Sequence, residues 1–264
     1  MINKFKLGIF LNILTSNREQ WLKDINFIKI ITGLNHLEIW LEADLSPQDI
    51  DWLKEQLSNY QLIIHAPFTS MSLVSGHKLI DEASAKIIKK TIDQSVALNA
   101  NLITVHTGKY PVYSNPQKAS EIFSENFQKL INYANKKIIL TTENMPIRRG
   151  AENHFPVLDE LGNLSKIISD INYTIDIGHC IQNGEDFYQF ITKNKNKIKD
   201  IHFHNAVKNG KAHYGLQLPG ELDFKKLVGF LNKINYQNYL TLEVLDDEDK
   251  IKSIKLINNL QNKS

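Results

Sequence analysis

Short apolar runs alternate with longer stretches of helical spacing along the whole chain. Such runs, rich in Ile, Leu and Val, are typical of buried parallel strands, and the spacing between them leaves room for helices. This alternation predicts an α/β fold, a single (β/α)8 TIM barrel in one domain spanning residues 1–264. The eight predicted strands cover residues 6–12, 36–42, 61–67, 101–107, 137–144, 173–178, 198–204 and 239–245.

Several of the intervening segments carry helix-start signals. Ser46 followed by Pro47 is a typical N-cap and first helical position, and it predicts a helix over 47–57. Apolar residues recur at helical spacing over 81–98. Asp223 is a suitable cap for the following helix, and the acidic segment 246–249 favours another helix start.

Metal-binding residue types follow six of the eight predicted strands, at or just past the point where each apolar run ends. In a closed parallel barrel the C-terminal ends of all strands meet at one face, which holds the active site. We therefore expect these side chains to converge. The seven residues are His65, His106, Glu143, Asp176, His179, His204 and Glu243.

Strands five to eight each supply one of these side chains: Glu143, Asp176, His204 and Glu243. Three carboxylates and one imidazole form an oxygen-rich set that suits a divalent ion such as Mn²⁺, Co²⁺, Zn²⁺ or Mg²⁺. The pattern predicts a metal site built from these four residues.

The remaining histidines of the set are His65, His106 and His179, which we place on the opposite side of the site. They are candidates to bind a second metal ion or the substrate. His213 lies in the long loop before the segment LPGELDF and is a candidate for the same roles.

Other polar residues are given supporting roles. His202 lies two positions before His204, so both side chains point to one face, and we expect His202 to be packed or to support the ligands. Glu38 alternates with apolar neighbours, which favours a buried hydrogen-bonding role, and Trp40 is expected to pack. Three further histidines are expected at the surface or in loops: His36, His77 and His154.

The charge balance argues against a dedicated nucleic-acid binder. The net charge is +2, and only Arg18, Arg148 and Arg149 are arginine, the residue best suited to phosphate. A small-molecule partner is therefore expected rather than a nucleic acid, and a homo-oligomer is left open.

The single cysteine, Cys180, excludes an intrachain disulfide, which fits a reducing compartment. No apolar stretch approaches the roughly 20 residues of a membrane span, and the N-terminus does not resemble a signal peptide. The expected location is the cytoplasm, with no membrane association.

Seven motifs in order along residues 6–245 resemble the xylose isomerase-like TIM-barrel superfamily. They read HAPF, VHTG, ENM, DIGH, HFHN, LPGELDF and LEV. The superfamily includes sugar isomerases and epimerases, inosose dehydratases, hydroxypyruvate isomerases and endonuclease IV. The resemblance implies that Glu143, Asp176, His204 and Glu243 bind the metal, that the two glutamates also move a proton, and that His179 contacts substrate.

The endonuclease IV branch uses three zinc ions, and the resemblance would add His65, His106 and His179 as ligands. That branch also has an Asp-x-His pair in its late loop. His213 matches the histidine, but Lys211 replaces the aspartate.

The expected function is a metal-dependent isomerase or epimerase of a small sugar or related hydroxy-carbonyl compound, acting through a metal-stabilised enediolate. Glu143 and Glu243 are the proposed proton carriers, and Arg148 and Arg149 could grip an anionic group of the substrate. Two alternatives remain: a zinc phosphodiesterase acting on abasic DNA, and a non-catalytic metal-binding barrel.

Overall fold

Eight parallel strands close into a barrel in the computed structural model, which describes residues 5–111, 115–147, 152–154 and 156–262. The barrel strands are β1 Lys6–Ile13, β2 His36–Leu41, β3 Gln61–His65, β4 Leu102–Val105, β6 Ile139–Glu143, β8 Asn172–Asp176, β9 Ile198–Phe203 and β10 Tyr239–Leu242. Around the barrel they follow the order β1, β10, β9, β8, β6, β4, β3, β2. The predicted (β/α)8 barrel is confirmed; that residues 1–264 form one domain stays a prediction.

Helices cover the outside of the barrel. Two of the predicted caps are present: the Ser46 side chain accepts from the Asp49 amide in a capping box, and Asp223 accepts from the Lys226 amide. The described helices are α1 Arg18–Lys29, α2 Pro47–Gln56, α3 Lys78–Ala97, α4 Pro116–Ala134, α5 Leu158–Leu164, α6 Ile177–Asn183, α7 Phe187–Asn194, α8 Phe224–Lys233 and α9 Asp247–Asn262. Among the described residues, no helix is long and apolar enough to cross a membrane.

Most strands end earlier than the apolar runs suggest. β4 ends at Val105 and leaves His106 in the following loop, while β8 ends at Asp176 and passes straight into α6. A small antiparallel ribbon of β5 (Lys109–Pro111) and β7 (Glu152–His154) was not predicted. Three-residue strands are too short to show the two-residue alternation that identifies longer strands.

The barrel wall separates two kinds of core. Alternate residues of β1, such as Leu7 and Ile9, face the helices and are at most 1% exposed. Inside the barrel, the apolar residues Ile63, Leu102 and Tyr239 form a separate small cluster. The interior therefore begins as an apolar layer at the N-terminal ends of the strands.

Above this layer the barrel interior is polar. The hydroxyl groups of Thr104, Thr141 and Thr174 contact one another at 2.7–3.3 Å, so three buried donors and acceptors satisfy each other. His36 was expected at the surface, and this prediction is wrong: its side chain is fully buried inside the barrel, and its Nε2 lies 2.8 Å from the hydroxyl of Thr241. Gly8 makes room for it, because a Cβ at that position would overlap the imidazole ring.

Candidate metal centre

Three carboxylates converge at the C-terminal face of the barrel. Glu143 and Asp176 are the last residues of β6 and β8, and Glu243 directly follows β10; all three are at most 2% exposed. Each offers an oxygen within 4.8 Å of the others and of a nitrogen of His202 on β9. We call Glu143, Asp176, His202 and Glu243 the central cluster.

His202 is surrounded by acidic groups on both sides of its ring. Its Nδ1 lies 3.1 Å from Oε1 of Glu243 and 3.4 Å from Oε1 of Glu143, and this buried nitrogen has no hydrogen-bond partner among the described residues. Its Nε2 lies 3.1 Å from Oε1 of Glu38. Because a carboxylate can only accept, Nε2 carries a hydrogen, and Nδ1 is the ring nitrogen that would turn its lone pair toward a cation bound among the carboxylates.

His204 occupies a different environment from the one the sequence suggested. Its Nδ1 accepts a hydrogen bond from the backbone N–H of His213 at 2.8 Å, so its Nε2 carries the hydrogen and donates to Oδ2 of Asp176 at 3.2 Å. In the described part of the chain, no set of three or more ligand atoms within 4.8 Å of one another includes both His204 and either Glu143 or Glu243. The structure thus brings three of the four predicted metal ligands together and places His202, rather than His204, beside them.

A second group of ligand atoms lies next to the central cluster and shares Asp176 with it. His179 Nδ1 donates to the backbone carbonyl of Asn144 at 2.9 Å, and His213 Nδ1 donates to that of Glu243 at 3.2 Å. Both rings therefore carry a lone pair at Nε2. His213 has a left-handed backbone, with φ +59, a conformation that costs energy for a non-glycine residue and that often marks functional sites.

His65 and His106 form a third group with the opposite side of Glu143. The two Nε2 atoms lie 3.1 Å apart, and Oε2 of Glu143 lies 3.0 Å from His106 Nε2 and 3.5 Å from His65 Nε2. His65 Nδ1 donates to the carbonyl of Ala66, which leaves its Nε2 as an acceptor. Three ligand atoms at such separations resemble the corners of a metal coordination sphere.

The structure holds more negative charge at the centre than its imidazoles balance. Burial, together with the nearby charges of Glu38, Glu143 and Asp176, raises the pKa of Glu243 well above its ordinary range, although His202 opposes this. Burial lowers the pKa of His202, but its carboxylate neighbours outweigh burial and raise it well above the ordinary value. Without an added cation, a proton is therefore retained at the centre.

The pKa values of Glu143 and Asp176 shift in the other direction. Burial raises the pKa of each, but neighbouring histidines, led by His202 for Glu143 and by His179 for Asp176, lower it by more, so both remain ionised. Ionised carboxylates together with an unpartnered imidazole nitrogen form a donor set that fits a divalent cation.

An open cavity of about 940 Å³ lies above the central cluster, with Glu143, His179, His213 and Glu243 in its lining. One wall is aromatic. Trp40 lines the cavity and also stacks on Phe10, with ring centroids 4.4 Å apart, so the expected packing role is accompanied by exposure to the cavity. The cavity has the size and mixed character of a site for a small organic molecule.

The loop after β3 supplies a second aromatic side chain, Phe68, which meets the Trp40 ring edge-on at 5.7 Å. Glu42 holds this loop, since its Oε1 accepts hydrogen bonds from the amides of Phe68 and Thr69 and from the Thr69 hydroxyl. Stacking on Phe10 therefore holds the Trp40 ring in place, and the Glu42 carboxylate holds the loop that carries Phe68.

Not every predicted residue can be placed. Arg148 and Arg149 lie outside the described residues, so their expected role toward an anionic substrate stays a prediction. His77 is exposed, as expected, and contributes to the rim of the cavity. The backbone of His154 belongs to β7, and its side chain is not described.

Asn144 is a site residue that the sequence analysis did not identify. Its side chain is buried; Nδ2 donates to the carbonyl of Asp176 at 2.9 Å, and Oδ1 accepts from the amide of the same residue at 2.8 Å. These two bonds fix the point at which β8 becomes α6. Its position directly after Glu143 was the only signal that the sequence offered.

The chain belongs to the xylose isomerase-like TIM barrel family, whose model matches residues 24–260. The resemblance inferred from the seven motifs is thus confirmed. Members of this family are commonly dependent on divalent metals.

Two proteins with similar sequences are an uncharacterized protein of Methanocaldococcus jannaschii and an inosose dehydratase of Clostridium beijerinckii. The first is 27% identical over 234 residues, which cover 88% of this chain and 83% of that protein. The second is 21% identical over 248 residues, covering 85% and 75%. A D-tagatose 3-epimerase-like protein has a similar structure, with a TM-score of 0.82, 22% identity, and coverage of 98% of this chain and 97% of that one.

Proposed function

We propose that this protein is a divalent-metal-dependent isomerase or epimerase of a small sugar or related hydroxy-carbonyl compound. The observation that carries the proposal is the central cluster, in which two buried glutamates flank a site open to a cavity of about 940 Å³. The family assignment and the similarity to an epimerase-like protein and an inosose dehydratase support it.

We assign the metal ligands as Glu143, Asp176, His202 and Glu243, which replaces His204 of the sequence prediction by His202. The reason is the free nitrogen: Nδ1 of His202 points at two of the carboxylates, whereas the ring nitrogens of His204 are engaged by His213 and Asp176. A divalent ion bound here would act as a Lewis acid that polarises a substrate carbonyl.

The two glutamates are suited to opposite halves of a proton transfer. Glu143 remains ionised, so its carboxylate can remove the proton from the carbon next to the substrate carbonyl. Glu243, which offers an oxygen within 4.8 Å of one from Glu143, would return a proton to the same or the neighbouring carbon.

Substrate hydroxyl groups would be oriented by the two histidines that reach the cavity. His179 and His213 each donate through Nδ1 to a backbone carbonyl, so each Nε2 can accept a hydrogen bond from a hydroxyl. The aromatic wall formed by Trp40 and Phe68 would pack on the apolar face of a sugar ring and exclude water.

A zinc phosphodiesterase acting on abasic DNA is the second candidate. It is favoured by one observation, the triangle of His65, His106 and Glu143 with sides of 3.0–3.5 Å, which suits a second ion sharing Glu143. Two ions held a few ångströms apart are typical of enzymes that cleave phosphodiesters.

The experiment is a screen of aldoses, ketoses and inososes run beside an assay on abasic duplex DNA, with metal content measured for the same preparation. The proposal expects turnover of at least one carbonyl compound and no DNA cleavage. DNA cleavage with two or three zinc ions per chain, and no sugar turnover, would replace it with the hydrolase.

A further inference from the structure

Glu38 lies inside the barrel beneath the central cluster and is fully buried. Each of its two oxygens has one partner: Oε1 lies 3.1 Å from Nε2 of His202, and Oε2 accepts from the indole Nε1 of Trp40 at 3.4 Å. One carboxylate thus joins a ring of the central cluster to the aromatic wall of the cavity.

The hydrogen bond from His202 to Glu38 determines which nitrogen faces the site. A histidine that donates one ring N–H to a carboxylate keeps the lone pair on its other nitrogen, and the same bond restricts rotation of the ring. In His202 this other nitrogen is Nδ1, which lies 3.1 Å from Glu243 and 3.4 Å from Glu143.

Asp200 is the only other carboxylate near Nε2 of His202 in the described part of the chain, at 3.4 Å. Its oxygens already accept hydrogen bonds from the Ile201 amide at 2.7 Å and from the Thr241 hydroxyl at 2.8 Å. The shorter contact and the smaller number of competing donors make Glu38 the principal acceptor.

We infer that Glu38 is a positioning residue that holds His202 in the Nε2–H tautomer, so that Nδ1 is its metal-binding atom, and fixes the Trp40 indole against the same site. The inference rests on the metal site of the proposed function, but not on the reaction. Glu38 does not line the cavity, so it acts through its two partners rather than on the substrate.

The wild-type protein provides the first test. Protein labelled with ¹⁵N-histidine is loaded with ¹¹³Cd²⁺, and the His202 signals are assigned by their absence in His202→Gln. We expect cadmium coupling to Nδ1 of His202 and a hydrogen on Nε2. Coupling to Nε2, no coupling to His202, or no cadmium binding would each overturn the inference.

Glu38→Gln is the second test, with Zn²⁺ affinity measured by competition with a chelator. The amide has one acceptor oxygen, so it can satisfy His202 or Trp40 but not both. We expect affinity about 10–100-fold lower, as is typical when the partner of a metal-binding histidine is lost.

Glu160→Gln is the matched control, because Glu160 caps the start of α5 through the Val157 amide, away from the site. It should leave Zn²⁺ affinity unchanged. Unchanged affinity in Glu38→Gln as well would overturn the inference, and if that variant does not fold the wild-type cadmium spectrum decides. A protein with Nδ1 coordination that converts no sugar would retire the proposed reaction and leave the role of Glu38 intact.

Discussion

Gly178 packs directly against the imidazole ring of His204: a Cβ added to this glycine would overlap Cε1 of the histidine. The glycine lies in the first turn of α6, and the ring projects from the end of β9. The absence of a side chain at position 178 therefore allows His204 to reach Asp176.

We expect Gly178→Ala to destabilise the protein by about 1–3 kcal/mol, the usual cost of overfilling a packed interior, and to displace His204 from Asp176. Urea unfolding measures the first effect. Gly229→Ala in α8 is the control: no atom lies within 4 Å of the added Cβ, so replacing a mid-helix glycine should stabilise by about 0.5–1 kcal/mol. Equal stability of Gly178→Ala and wild type would show that α6 can move away from the ring.

His202 on β9 and His204 directly after it should differ in their effect on metal binding. His202→Gln removes an assigned ligand and should lower Zn²⁺ affinity by more than about 100-fold, whereas His204→Gln removes a support of Asp176 and should lower it by about 10–100-fold. Isothermal titration calorimetry or chelator competition gives both values. The reverse order of the two affinities would make His204, rather than His202, the metal ligand.

The sequence was sufficient for the fold and for the expectation that these side chains meet at one face of the barrel, but not for this distinction. Side chains two residues apart on a strand share a face, so the periodicity treats His202 and His204 alike. What separates them is the partner of each ring nitrogen, and Glu38 is 164 residues from His202 along the chain.

The ends of the strands could not be predicted from the sequence either. The predicted strand over 101–107 includes His106 and Thr107, which follow the last paired residue, Val105, because β-branched residues such as Thr107 are as typical of strands as of the loops that follow them. His36 was misplaced for a related reason: a lone histidine in a strand carries no sign that a glycine on the neighbouring strand leaves space for it.

Stability without metal should fall as pH rises from about 6.5 through the folded pKa of His202. The pKa of His202 is raised in the folded protein, so its contribution is complete below the unfolded value of about 6.5 and is lost as pH rises through the folded pKa. The pKa of Glu243 is also raised, so its contribution to stability changes with pH in the same direction. The pKa values of Glu143 and Asp176 are lowered, so both stay ionised and their contributions to stability are constant over this range.

A bound divalent ion takes the place of the proton, so the gain in melting temperature on adding Zn²⁺ or Mn²⁺ should increase across the same range. Scanning calorimetry of chelated and loaded protein at fixed ionic strength is the measurement. His202→Gln should show a smaller pH dependence in the chelated state. A metal-induced shift that is constant with pH would mean that no proton is displaced from the centre.

Glu143→Gln and Glu243→Gln should each lower turnover of the identified substrate by at least about 10²-fold, since the amide keeps the shape of the side chain but cannot carry the proton. Circular dichroism provides the folding control. Near-normal turnover in either variant would remove that glutamate from the proton transfer.

His65→Gln and His106→Gln separate the two candidate functions. In an isomerase both lie outside the assigned ligands, so each should reduce turnover only partly; in a phosphodiesterase each removes a zinc ligand. Metal content and activity are measured together. If both variants lose metal and are as inactive as Glu143→Gln, the multinuclear hydrolase is the better account.

The buried contact between His36 and Thr241 has a consequence for how this barrel can change over evolution. The histidine donates to the threonine, the threonine donates to Asp200, and Asp200 lies beside His202. Ordinary apolar cores tolerate exchanges of similar volume, but here a leucine at position 36 would leave a hydroxyl oxygen without its donor. Positions 36, 200 and 241 should therefore change together or not at all, and the inner wall of the barrel should retain its sequence for as long as the face above it retains its chemistry.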